Sequence, residues 1–232
     1  MGFWSRIAGR ALARLEDARS LKRPPGPPES DPAFAAAVTA LGAKLARADG
    51  RADPIEFDAF AEVFQPDARS APGVRRLYNL ARQTSAGYEA YARRLAKRYR
   101  ASPQVLEDVI EGLCHIAASD GVATEAERDY LRTVADLFGL HPLTYRRIEA
   151  TWFGLAQDDP YAVLGLSPDA PVPALREARR RLLLQAHPDT VRARGLPEEY
   201  VEVFTARAAA INAAFDAAMR DRLDPAEVAE PA

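Results

Sequence analysis

His187, Pro188 and Asp189 stand in a row near the C-terminus, and no other residues of the chain look better suited to act on a partner. An imidazole and a carboxylate on either side of a proline make a turn, not a reaction centre. No nucleophile stands beside them, and the one cysteine, Cys114, lies far upstream. A catalytic His187–Asp189 dyad is therefore not expected, and the chain reads as a non-enzyme. Just before the tripeptide, Arg176, Arg179, Arg180 and Arg181 crowd one short stretch. On a helix Arg176 and Arg180 are i, i+4 neighbours, with Arg179 and Arg181 flanking. That surface suits an acidic protein partner, for which charge raises the association rate and fixes orientation. Without the tripeptide beside it, a solvated helix face would be the simpler reading.

A second set of polar residues repeats. Leu45 to Glu56 matches Ile116 to Glu127 at an offset of 71 residues. Each copy ends a helix at Asp-Gly (Asp49-Gly50, Asp120-Gly121) and opens the next with a capping box. The pairs are Asp53 with Glu56 and Thr124 with Glu127. The first oxygen of each pair satisfies an orphan amide of the new helix, and the glutamate reaches back. Asp49, Asp53, Glu56, Asp120, Glu125 and Glu127 are also weak candidates for a divalent cation, and capping is the favoured role. The first loop fails as an EF-hand, because Pro54 sits where glycine is required and Phe60 where glutamate is required. Three histidines and one cysteine do not readily assemble a zinc site. No metal or cofactor is expected.

The elements that hold these residues read as helices. Apolar positions at spacings of three and four predict helices over 33–48, 54–64, 72–85, 88–99, 103–119, 124–138 and 142–153. Alternating β-branched runs and hairpin turns are missing, so the fold class is all-α. Asp159 and Pro160 open a short helix. A loop over Ser167–Pro171 follows, then a helix over 173–186 with Leu175, Ala178, Leu182 and Ala186 on one face. A last helix from Pro197 to about Arg222 carries Tyr200, Phe204, Ala208, Ile211 and Phe215. The two long helices can pair antiparallel with the tripeptide at their turn. At the other end of the chain, residues 3–22 read as an amphipathic helix, followed by a proline-rich linker over 23–32. Residues 3–15 could make weak peripheral contact with a membrane, or pack on the helical bundle, and packing is favoured.

The chain has 232 residues, room for two small domains. Its net charge of −2 offers no basic field for nucleic acid. One cysteine rules out an internal disulfide. No apolar run is long enough to span a bilayer. Arg6, Arg10 and Arg14 interrupt any secretory core, and Arg6 stands where a myristoylation site needs Ser or Thr. The expected location is cytoplasmic, with peripheral contact at the inner membrane face as a variant.

Residues 159–222 resemble a J-domain. The likeness rests on Asp159-Pro160-Tyr161-Ala162-Val163-Leu164-Gly165-Leu166, the basic helix, His187-Pro188-Asp189, and Ala210-Ile211-Asn212-Ala213-Ala214-Phe215. Residues 33–153 resemble the TerB family, named for tellurite resistance, through the two Asp-Gly…Glu repeats and the helical pattern. The pairing is similar to co-chaperones of the DjlA type, which carry a membrane span that is not expected here. Residue pattern and resemblance together give five segments: an amphipathic helix (1–22), a linker (23–32), a TerB-like bundle (33–153), a J-domain hairpin (159–222) and a tail (223–232). It also implies a DnaK-type ATPase as partner, an unknown client, and His187, Pro188, Asp189, Arg176, Arg179, Arg180 and Arg181 as the docking residues. In such domains an aromatic is common at the positions of Arg179 and Ala186, and a lysine at that of Gln185. The alternative is a metal- or stress-responsive TerB-like interaction protein.

Overall fold

A computed structural model describes residues 26–45, 48, 79, 87–119, 123–153, 159–196 and 200–223. Among these residues the regular structure is helical throughout, without a strand. The protein is all-α, as its periodicity requires. The chain divides into two compact units. One comprises Met1–Leu140 with Val191–Val203, the other His141–Thr190 with Phe204–Ala232.

The first unit is built around α1 (Pro32–Leu45). This helix is apolar nearly all round, and Phe34, Val38, Leu41 and Leu45 are fully buried. A helix without a polar face must be covered on every side. The cover comes from α2 (Tyr88–Arg98), α3 (Pro103–Ser119) and α4 (Glu125–Phe138). Asp31 starts α1 by accepting from the Ala33 amide at 3.0 Å. Its carboxylate also receives Nη2 of Arg98 at 3.0 Å and the hydroxyl of Tyr99 at 2.8 Å. A buried carboxylate is tolerable only when paired and hydrogen-bonded in this way. Burial, and then the Asp31 charge, push the Tyr99 phenol far above its ordinary range. The capping box predicted at Thr124 and Glu127 opens α4, with both reciprocal bonds formed.

The second unit holds α5 (Pro142–Trp152), α6 (Pro160–Leu164) and α7 (Val172–Gln185). A further short helix, α8 (Pro188–Ala193), begins in it, and most of α9 (Tyr200–Leu223) belongs to it. Periodicity placed these elements to within a few residues, apart from α8, which lay hidden inside the tripeptide turn. Pro188 sits at the first position of α8, where its missing N–H costs nothing. The helices expected at 3–22 and 54–64, and nearly all of that at 72–85, lie outside the described residues. So do the first Asp-Gly loop and Asp120. No helix among the described residues is long and apolar enough to cross a membrane.

Candidate functional site

The tripeptide sits at the head of a hairpin whose core fixes it. Asp159 caps α6 by accepting from the Ala162 amide at 2.9 Å. Gly165 ends that helix at φ 67°, a left-handed conformation that glycine adopts without strain. Tyr161, Val163 and Leu164 of α6 then join Leu175, Ala178 and Leu182 of α7 and Ile211, Ala214 and Ala218 of α9 in one buried cluster. Polar contacts set the register. Arg207 Nη2 reaches Gln185 at 3.4 Å, Arg179 Nε donates to Asn212 at 2.9 Å, and Arg222 Nη2 donates to the Ala170 carbonyl at 2.7 Å. Residue numbers fall along one side as they rise along the other, so α7 and α9 run antiparallel.

Beyond this core the tripeptide faces solvent. The side chains of His187 and Asp189 are 56% and 80% exposed. His187 Nδ1 accepts from the Asp189 amide at 3.2 Å and lies 3.8 Å from the Asp189 carboxylate. The ring thus caps the first turn of α8 in the manner of an N-cap side chain. Proline and this bond restrain the backbone at Asp189, whose carboxylate is exposed.

The four arginines divide. Arg176, Arg180 and Arg181 are exposed. Arg180 forms an ion pair with Glu177 at 3.0 Å on the helix surface. Arg179 is half-buried, bonded to Asn212, with its guanidinium 4.7 Å from the centre of the Phe215 ring. It binds the hairpin together. One surface residue escaped the sequence reading: Leu184, 58% exposed. It is one turn from Arg180 and Arg181 and precedes His187 by three residues. Its signal was its place outside the Leu175, Ala178, Leu182 period, which left it no core to enter.

Of the weak cation candidates, Glu125 and Glu127 lie in the described region, in the first turn of α4. Glu127 Oε2 accepts from the Thr124 amide at 2.8 Å and from the Thr124 hydroxyl at 2.9 Å. The Glu127 amide donates back to that hydroxyl at 3.3 Å. Asp49, Asp53, Glu56 and Asp120 lie outside the described residues. Among the described residues, no three His, Cys, Asp or Glu side chains stand close enough to share a metal ion.

A helical bundle with capped inter-helix loops, followed by a presented tripeptide, defines the class, and comparison places the bundle. The family model described as tellurite resistance protein TerB matches residues 35–150. That is half of the chain, and the chain belongs to the TerB family. Its similar relatives carry a more particular name, co-chaperone protein DjlA. The one from Shewanella oneidensis is 29% identical over 140 residues, 53% of either chain. That from Coxiella burnetii is 25% identical over 193 residues, 74% of this chain and 71% of the relative. A third, from Haemophilus ducreyi, is 40% identical over 58 residues, 25% of this chain and 20% of its own. The chain thus matches about half the length of the Shewanella relative. No solved structure matches significantly.

Proposed function

We propose that residues 159–222 form a J-domain that docks on a DnaK-type chaperone and stimulates its ATP hydrolysis. The observation that carries this reading is the presentation of His187 and Asp189 at the turn of a packed antiparallel hairpin. The chain supplies no catalytic group. Asp189 offers a carboxylate for a charge-assisted bond to a basic residue of the partner. Arg176, Arg180 and Arg181 attract an acidic surface, and Leu184 adds an apolar contact beside them. Arg179 acts from within, by holding α7 on α9. The names of the relatives support a co-chaperone, and the TerB unit serves as its targeting or interaction module. Action in the cytoplasm belongs to the same reading.

The test is the steady-state ATPase of the DnaK-type protein from the same cell, with increasing amounts of the full chain. Hydrolysis should rise several-fold and saturate. A flat response through saturating peptide client would sink the proposal.

A further inference from the structure

By sequence α5 goes with the residues before it, since the TerB match runs to residue 150 and takes in most of this helix. In the structure it goes with the residues after it. The unit that holds the hairpin begins at His141, and among the described elements α5 packs chiefly on α6. His141 opens α5 by accepting from the Leu143 amide at 3.2 Å, with Pro142 at the first position. Arg147, Ala150 and Thr151 are buried, and their spacing puts them on one face of the helix. Ala150 is fully buried and joins the cluster that Tyr161, Val163 and Leu164 of α6 form with α7 and α9. Arg147 lies along the end of α6, where a Cβ on Gly165 would stand 3.8 Å from its Cδ, an ordinary contact. Thr151 donates its hydroxyl to the Arg147 carbonyl at 2.8 Å, so it brings no unmatched polar group to this face. At the start of α6, Arg146 Nη2 reaches Asp159 Oδ2 at 3.4 Å, while Oδ1 accepts from the Ala162 amide.

We infer that α5 is a brace of the hairpin, holding α6 against α7 and α9, and that Ala150 is its positioning residue. The inference rests on the co-chaperone reading for its consequence and on the packing within this one unit for its mechanism. α6 has five residues, too few for a helix to persist by its own hydrogen bonds. It keeps its shape only while its neighbours cover it. α7 and α9 supply part of that cover, and α5 another part. The small side chain at 150 lets α5 come close, since helix separation follows the size of the residues in contact. A hairpin with α6 seated is ready to dock. One with α6 released must reseat it first, and the apparent affinity falls by the seated fraction. α5 needs no contact with the partner. Its effect falls on the concentration of chain required, not on the maximal rate.

The experiment uses the full chain with Ala150→Glu and Ala150→Ser. ATPase stimulation is titrated, and hydrogen exchange is followed in the absence of partner. A carboxylate cannot enter the apolar cluster unpaired, so the glutamate drives α5 off α6. The half-maximal concentration should then rise about tenfold, as for α6 seated in roughly one chain in ten, with the plateau unchanged. The amides of Ala162, Gly165 and Leu166, which bond within the α6 turns, should lose most of their protection. Amides of α7 and α9 should keep theirs. Serine fits the space of alanine and can bond back to the helix carbonyls, so Ala150→Ser should behave as wild type in both measurements. Unchanged exchange at the α6 amides in Ala150→Glu, or an unchanged half-maximal concentration, overturns the brace. Loss of protection across α7 and α9 as well would make Ala150 a folding residue and overturn the inference equally. A wild-type chain that stimulates nothing defeats the co-chaperone reading. Exchange still shows separately whether α5 holds α6.

Discussion

His187 carries two roles in one ring: it caps α8 through Nδ1, and it is more than half exposed beside Asp189. His187→Gln keeps a polar side chain but not the ring geometry. On the proposed function it should abolish ATPase stimulation while helical circular dichroism stays as in the wild type. Loss of both signals together would assign the residue to folding. Arg179 makes the opposite case. Its bond to Asn212 and its stacking on Phe215 are internal, so Arg179→Ala should lower stability by about 1–2 kcal/mol. In a chain of this size that is a fall of several degrees in Tm. Arg176→Ala should leave Tm in place, and a fall equal to that of Arg179→Ala would deny the division drawn between them. The division was legible in part. Position 179 is four residues after Leu175 and three before Leu182, at the edge of the buried face. Charge type alone had grouped it with the surface arginines. The place of the tripeptide at the end of α7 was legible, because the helices around it are periodic, whereas the start of α8 at Pro188 was not.

Helices were the easiest level to read, since a buried stripe repeats at a local spacing. What periodicity could not supply were the contacts that start and stop them. Asp31 gathers Ala33, Arg98 and Tyr99, and the last two are remote in sequence. The cap of α4 was readable because both partners lie within one turn. Thr124→Ala should cost about 1 kcal/mol, as loss of an N-cap oxygen does. Glu127→Gln should cost less, because the amide can still accept from Thr124. Thermal melts of both variants check the order, and calcium, magnesium or zinc should move neither curve. A cation-dependent rise lost in Glu127→Gln would restore the metal reading. On α7 the prediction concerns the exposed cations. Reversal of Arg176 and Arg180 to glutamate should weaken docking and flatten its salt dependence, since exposed charges are screened over about 8 Å at physiological ionic strength. A variant that binds like wild type across a salt series would remove this face from the interface.

At the scale of the molecule, the two units are interleaved along the chain, and local pattern could not have revealed it. Asp108 reads in sequence as an ordinary polar residue of α3, and Arg194 as one more arginine. Only the fold pairs them. Val191, Leu196, Tyr200 and Val203 lie among residues assigned from sequence to the hairpin, yet they are buried in the first unit. A fragment spanning 141–223 would keep the cluster of Leu175, Ala178, Leu182, Ile211, Ala214 and Ala218 together with Ala150 of α5, so that all its buried members lie within the fragment. It would lose Asp108, Gly112 and Pro27 from around Arg194, Tyr200 and Gly195. Each large apolar side chain uncovered forfeits about 1.5–3 kcal/mol of burial. The charge of Arg194, left without Asp108, would return to water. The fragment should therefore fold as a hairpin with a loosened turn. By hydrogen exchange, amides of 191–203 should approach the rates of an open chain, while amides of the cluster residues stay protected as in the full protein. Equal protection of 191–203 in fragment and full chain would mean that the hairpin orders this segment by itself. Loss of protection in the cluster as well would mean that the hairpin depends on the first unit to fold.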